Sequence, residues 1–457
     1  MGATFSRRRL LAAGAAMGLA GPGAAKAADP LSGDVYQEPG AKVPIVQRAD
    51  VVVCGAGPAG VAAAIAAARA GAKTCLLETN GCLGGVWTAG LLSWILDSAN
   101  KTGLMREIIA ALDARKATAH YGHSVGYDVE EMKSLLEDLC QAAKVKVRLH
   151  TRVVAAARDR SGRLGLAITE SKSGREAFAG RVFVDATGDG DLAARAGCGF
   201  DYGRPGSGEL QPMSMIALLV GLKLDAVRPF VCALDRSSKP TAKERLLAEM
   251  ARAGVQPSYA QPTLFYIHND LYCLMANHEY GVSATDAAAI TAATLRSRAE
   301  VRKLVGALRA LGGPWANAQI VATAEHIGVR EGRRVHGLYQ VTTDDLVRGA
   351  VHEDAVCKVT FGVDIHATDP KKTKGIEKSG VRAKAYDIPY RALIARDVQG
   401  LLLAGRLISG DFVAHSSYRV TGNAVAMGEA AGVAAALAAR KGVLPQEVPW
   451  AEIRAKL

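Results

Sequence analysis

Between residues 28 and 48, Pro30, Pro39, Pro44 and several glycines interrupt any hydrophobic period, and the stretch reads as an extended linker. The first firm signal is the continuous apolar run 49–54, short enough to be a buried strand. A glycine turn follows, then an alanine-rich helix over 59–70 stopped by Gly71, then a second strand over 73–78. This strand–helix–strand unit predicts a parallel sheet with helices on both faces. Met132, Leu135, Leu136 and Leu139 recur at helical spacing and predict a helix over 129–143. A strand is expected over 145–154, and 163–185 alternates as two or three strands with turns at Ser161-Gly162 and Ser173-Gly174. From 205 to 385 the texture changes. Strand-like runs occupy 215–222, 264–275, 319–324 and 356–363, with a long helix over 286–311. An apolar strand returns at 400–404, before a glycine-rich turn. The alanine-rich stretch 424–439 carries Glu429, falls short of a membrane span and reads as a buried helix. The expected fold is α/β, a parallel sheet with a β-meander built in two parts (49–204 and 386–440). An α+β substrate or cap domain (205–385) is inserted between them, and 441–457 forms a tail.

Composition narrows the class. Apolar residues are 49% and charged residues 22% of 457, as in an ordinary globular chain with a large core. The net charge of +12 suits anionic small molecules or surfaces. No basic run is interleaved with aromatics, which argues against nucleic acid. The eight cysteines show no C-x-x-C pair and no spacing for a metal or iron–sulfur cluster, and Cys54 and Cys75 fall in apolar runs as core residues. At the N-terminus, Ser6-Arg7-Arg8-Arg9-Leu10-Leu11 precedes a weakly apolar stretch and Ala25-Lys26-Ala27, a small-residue cleavage site. This resembles a twin-arginine export signal over 1–27, set against a plain basic tail. It implies passage through the twin-arginine translocase and a periplasmic or otherwise exported protein without stable membrane insertion.

The chemistry-bearing motif is Gly55-Ala56-Gly57-Pro58-Ala59-Gly60, directly after a strand and before a helix. Gly55 allows the turn, Gly57 lets the backbone approach a pyrophosphate, and Gly60 lets the helix pack closely, with Pro58 and Ala59 opening the helix. Glu78 ends the second strand at the spacing of a ribose-hydroxyl partner. A bare glycine-rich turn is the competing explanation, and NAD and FAD both use such a unit. Further segments separate them by resemblance: Thr79-Asn80-Gly81-Cys82-Leu83-Gly84-Gly85, Asp185-Ala186-Thr187-Gly188-Asp189, and the C-terminal run from Leu401 through Gly405-Arg406, Ser409-Gly410-Asp411, Arg419-Val420 and Gly428-Glu429-Ala430-Ala431-Gly432. Together with Gly328-Val329-Arg330-Glu331-x-Arg333, they resemble the FAD-dependent oxidoreductases of the glutathione-reductase-like fold, over residues 50 to 440. The resemblance implies an FAD-binding Rossmann-like domain. It places Gly84, Gly85, Thr187, Gly188 and Gly410 along the dinucleotide, Val153 at the adenine, and Asp411 at a ribityl hydroxyl or, as an alternative, as an N-cap. The helix from about Asn423 would face the flavin N1–C2 carbonyl. No second glycine motif is present for a built-in NAD(P)H site, so oxygen, a quinone or a small carrier is the expected electron acceptor.

On the substrate side, His415 could remove a proton while hydride leaves to the flavin, and Arg419 could hold a carboxylate. The competing explanation for His415 is a histidine satisfied in the core. Arg330, Arg333 and Arg334 read first as a salt-bridge cluster and second as an anion clamp. Tyr266, His268 and His278 rank as core or surface residues ahead of a pocket wall, and Cys82 as a small loop residue ahead of a redox thiol or flavin attachment point. The expected activity is two-electron transfer between flavin N5 and a small organic substrate. The alternatives are an electron-transfer or scaffold subunit without its own substrate, or a redox-neutral use of FAD.

Overall fold

In the computed structural model, β1 (Ile45–Cys54) starts exposed and ends fully buried, which is why only its second half shows as an apolar run. The strand therefore begins four residues ahead of its expected start at 49. The structure describes residues 40, 42–122, 124–234 and 239–457, so the expected export signal and most of the expected linker lie outside the described residues. Residues 44–457 form one compact unit.

After β1 come α1 (Pro58–Arg69), β2 (Thr74–Leu77), β3 (Lys146–Arg148), β4 (Arg152–Arg158), β5 (Leu164–Ser171) and β6 (Gly174–Asp185). Then follow β7 (Ile216–Val220), β8 (Thr263–His268), β9 (Leu271–Met275), α2 (Ala287–Ala310), β10 (Gln319–Thr323), β11 (Leu401–Leu403), α3 (Phe412–Tyr418) and α4 (Thr421–Lys441). The main sheet has the order β3-β2-β1-β6-β5-β4, with β11 also on β6. Its β1, β2, β3, β6 and β11 pairings are parallel, while β4, β5 and β6 form an antiparallel meander. One edge of the long β6 carries β5 on its first half and β11 on its last three residues, so the C-terminal segment completes the sheet that the first segment starts.

Two expected strands divide. The run 145–154 breaks at 149–151, where Thr151 N–H donates to Glu78 O (2.8 Å) and His150 N–H to Asn80 O (3.3 Å). The run 264–275 is a hairpin turning at Asn269, whose φ is +49°, a left-handed position that asparagine tolerates. β8, β9, β7 and β10 make a four-stranded antiparallel sheet.

The core lies where α1 and α4 cover the main sheet. α4 is longer than its alanine run suggested. By length and apolar composition it would cross a membrane, but 89% of its apolar window is buried within the fold. It meets α1 in parallel through small residues. A Cβ on Gly428 would lie 2.0 Å from Ala59 O, and one on Gly432 would lie 2.1 Å from Ala63 O. That contact leaves both helix N-termini on one side of the sheet. Ala59 faces Gly428, so α4 begins six residues, or about 9 Å, ahead of α1.

Candidate active site

The three glycines of the first turn have different surroundings. A Cβ on Gly55 (φ +91°) would sit 2.5 Å from Ala186 O, and one on Gly60 would strike Gly55 O. A Cβ on Gly57 would meet nothing within 4 Å. The outer two close the turn, and the middle one borders open space before the N-terminus of α1. That helix has Pro58 in its first turn, no acidic residue there and no side-chain cap, so its free N–H groups suit a diphosphate. Gly84 N–H donates to Ala56 O (2.7 Å), and a Cβ on Gly85 would lie 2.9 Å from Gly57 Cα, so the double-glycine loop rests on this turn.

Glu78 is buried, and its carboxylate accepts from Ala56 N–H (2.6 Å), Asn80 N–H (2.8 Å) and Asn80 Nδ2 (2.8 Å). Burial pushes its pKa up against these donors. One of these donors belongs to the glycine turn and two to Asn80 just past the strand, so the carboxylate ties the turn to the loop beside it. At the end of β6, Asp185 organises the next segment. It accepts from Thr187 N–H (3.0 Å), Thr187 Oγ1 (2.7 Å) and Ala193 N–H (2.7 Å), and burial raises its pKa to about 6. Gly188 (φ +83°) has no room for a Cβ beside the Arg406 guanidinium, which is paired to Asp189 at 2.8 Å. Val153 lies near the start of β4, opposite Thr169 and beside a bulge.

The C-terminal turn is held by its own packing. Gly410 is required by Tyr418, whose ring would lie 2.5 Å from a Cβ there, and Tyr418 OH donates to Ile408 O at 3.0 Å. Asp411 is the N-cap of α3: Oδ1 accepts from Ala414 N–H (2.7 Å), while Oδ2 accepts from Thr343 N–H (2.5 Å) and Thr343 Oγ1 (2.8 Å). Asp411 thus fills the N-cap role given as its alternative, and the pyrophosphate contact of Gly410 stays an expectation. His415 is deeply buried beside this turn. It is 1% exposed, its ring meets Tyr418 edge-on, and burial together with the charges of Arg419, Arg334 and Arg406 holds its pKa well below the ordinary value. It is a neutral, buried histidine.

Five buried polar atoms from these segments have no protein partner: Trp87 Nε1, Arg406 Nε, His415 Nδ1, Thr421 Oγ1 and Asn423 Oδ1. Buried polar atoms are ordinarily paired. Two staggered helix ends, an open cradle at Gly57 and unpaired polar atoms beyond it together fit a long dinucleotide.

A second group of residues collects in front of α4. Arg419, immediately before its N-cap, donates to Asp364 O (2.7 Å) and Arg330 O (3.3 Å) and lies 3.7 Å from Asp364 Oδ2. Asp364 is 3.3 Å from His366 Nε2, His366 Nδ1 is 2.9 Å from His278 Nε2, and His278 Nδ1 is 3.2 Å from Tyr280 OH. Tyr259 lies over His278 with ring centroids 4.1 Å apart. Burial and the Arg330 charge bring His366 down to about 3, and burial, Arg330 and His366 lower His278 further. For Asp364, burial works upward, but His366, Arg419 and Arg330 outweigh it and hold the carboxyl well below its usual range. Of the arginine cluster, Arg333 pairs with Asp191 (3.1 Å) and Arg334 with Glu331 (2.6 Å), both structural. Arg330 is set apart.

Sequence reasoning had ranked His278 low and had not singled out Asp364, His366, Tyr259 or Tyr280. The Asp364-Ile365-His366 triplet was the available signal, but it stands in a loop without periodicity. His268 belongs elsewhere, bonded at 2.7 Å to Asp128, the N-cap of the Val129–Ala142 helix. Tyr266 accepts through its backbone from Tyr121 OH, and Cys82 donates to Thr88 Oγ1 at 3.5 Å. Among the described residues no group of histidine, cysteine and acidic side chains could hold a metal.

A family model of FAD dependent oxidoreductases matches residues 50–457. The chain belongs to that family. It is a flavoenzyme with FAD as its cofactor. No curated protein matches the sequence. Among solved structures, a geranylgeranyl bacteriochlorophyll reductase-like protein from Thermoplasma acidophilum is similar at 12% identity, over 90% of this chain and 82% of that one, with a TM-score of 0.44. The flavin-dependent brominase Bmp2 matches at 12% identity over 90% and 83%, TM-score 0.44, and the myxobacterial chondrochloren halogenase CndH at 13% over 90% and 78%, TM-score 0.43.

Proposed function

We propose that this oxidoreductase transfers two electrons between FAD and a small organic substrate seated against Arg330, Arg419, Asp364 and His366. The observation that carries the reading is the hydrogen-bonded chain Asp364–His366–His278–Tyr280, which ends beside the residue that leads into α4. When bound, FAD supplies a two-electron centre at its N5. The protein must then move a proton, and the chain fits that task in either direction. In one arrangement Asp364 accepts from His366 Nε2–H, His366 Nδ1 accepts from His278 Nε2–H, and His278 Nδ1 accepts from the Tyr280 hydroxyl, so protons advance toward the site. In the other, Tyr280 OH donates to Ser258 O (3.1 Å), both imidazoles turn their donors outward, and a proton taken from the substrate comes to rest between Asp364 and His366 Nε2. Residues 205–385, which supply Tyr259, His278, Arg330, Asp364 and His366, serve in this reading as the substrate-side cap. The parallel sheet with its meander and the helix pair support a glutathione-reductase-like arrangement of FAD, with Gly57, Pro58, Ala59 and Gly60 at the diphosphate and Thr421 and Asn423 near the flavin.

Anaerobic mixing of the holoenzyme with hydroxy acids, amines, sugars and enones tests this. One class should bleach the flavin band near about 450 nm, and His366→Gln should slow that bleaching by about 10²-fold with FAD content unchanged. Bleaching by no small compound, with reduction only by a protein donor, would favour an electron-transfer subunit. The Ser6–Leu11 pattern supports export through the twin-arginine route. Cell fractionation of an Arg7→Lys, Arg8→Lys variant should find it retained inside the cytoplasm, and unchanged export would contradict that route.

A further inference from the structure

We infer that the Arg330 guanidinium is an anchor for the carboxylate of an acidic substrate. The inference rests on the oxidoreductase reading above and names the substrate class for the same site. Arg330 donates through Nη1 to Pro212 O (2.7 Å) and Ser214 Oγ (2.8 Å), and through Nη2 to the Met275 thioether at 3.5 Å. It has no carboxylate partner among the described residues, in contrast to Arg333 and Arg334 a few positions on. A guanidinium presents five N–H donors, so the Nε–H and one Nη2–H remain, the side-on fork that matches a carboxylate bidentately.

The charge balance around it points the same way. Arg330, Arg334 and Arg419 stand against only Glu331 and Asp364, and the Glu331–Arg334 pair is closed on itself at 2.6 Å. One positive charge is left over in a largely desolvated group, an arrangement that an anionic ligand would complete. Burial and the neighbouring Arg419 accordingly lower the Arg330 pKa to about 10. Access is also concentrated here. His278, His366 and Tyr259 are buried, whereas Arg330 is partly accessible and the Asp364 side chain is 30% exposed. Arg330 and Asp364, the accessible members of the group, also lie within electrostatic range of each other. An acid bound on Arg330 would present its neighbouring hydroxyl or amine hydrogen to Asp364 and His366. Oxidation would then send the hydride to FAD and that proton into the chain.

The test uses oxidised holoenzyme and acids that cannot be oxidised there. Benzoate and acetate are titrated while the visible flavin spectrum is recorded, beside the neutral isosteres benzamide and acetamide. Benzoate or acetate should perturb the spectrum saturably and each amide at least about tenfold more weakly. Arg330→Lys, which keeps the charge without the fork, should weaken the acid by about 10- to 100-fold, and Arg330→Met should abolish its binding. Equal binding of acid and amide by the wild type would overturn the inference, and so would an unchanged benzoate affinity in Arg330→Lys. Because no turnover is involved, the result is independent of whether any library compound reduces the flavin.

Discussion

Replacing Gly428 by alanine tests how the two helices hold the FAD site. The new Cβ would lie 2.0 Å from Ala59 O, where carbon and oxygen ordinarily settle at about 3.3 Å or more. The helices must part by more than an ångström or distort. Overpacking of this kind costs about 1–3 kcal/mol, against a helix-propensity gain of at most about 1 kcal/mol for alanine over glycine. A net loss of about 2 kcal/mol at the upper end of that range is expected. The displaced segment of α1 adjoins Gly57 and Pro58, so FAD affinity should also fall by at least about tenfold, since misplacement by 1 Å can cost far more. Gly306→Ala is the matched control. It is the same substitution within helix α2, and nothing lies within 4 Å of the new atom. It should stabilise by about 0.5–1 kcal/mol. Denaturant unfolding of both variants, with FAD retention through gel filtration, is the assay. Shifts of the same sign in the two variants, or wild-type FAD retention in Gly428→Ala, would refute the close-packing argument.

Glu429 accepts from Leu104 N–H, and burial, working against that bond and Arg69, raises its pKa to about 7. The native state then holds the extra proton between the ordinary carboxylate range and pH 7, so this group's contribution to stability falls as pH rises through that window. Glu429→Gln should be near neutral at pH 5 and more stable than wild type by about 2 kcal/mol at pH 8, after a discount for partial exposure. A difference that does not change with pH would contradict it. Glu331→Gln strips the charge partner from the buried Arg334, which also donates to Gly410 O (3.2 Å) and Gly203 O (2.8 Å). It should cost about 3 kcal/mol in equilibrium unfolding, and a loss below about 1 kcal/mol would show that those two carbonyls suffice. Cys54, Cys75, Cys140, Cys198 and Cys273 are buried and their pKa values are raised by desolvation. A thiol reagent at pH 8 should therefore titrate no more than three of the eight cysteines before unfolding, and a fourth would contradict the burial.

The dinucleotide half of the fold was legible because its information is local. The run 49–54, the glycine turn and Glu78 lie within thirty residues, and each signals its own geometry. The hairpin β8–β9 was not, because Asn269-Asp270 reverses the chain inside one apolar run. Roles that depend on which way a side chain points were also hidden. Asp411 and His415 sit in a promising stretch, but α3 turns His415 inward and caps itself on one Asp411 oxygen, while Thr343 takes the other. The substrate-side group could not be assembled from sequence at all. Tyr259, His278, Arg330, Asp364, His366 and Arg419 come from separate segments, and only the folded chain shows that Arg330 lacks the carboxylate that Arg333 and Arg334 possess.

The central claim, that FAD lies with its diphosphate in the open cradle before α1, is tested most directly by measuring FAD per chain in Gly57→Asp. The backbone at Gly57 (φ −66°, ψ −176°) accepts any residue, a Cβ there meets nothing, and aspartate at this N-cap should hold or raise the stability of the FAD-free protein. Its charge would occupy the space a diphosphate needs. The expected result is about one FAD per wild-type chain and almost none in a variant whose FAD-free unfolding midpoint is no lower than that of wild type. Full FAD occupancy in Gly57→Asp would contradict the account.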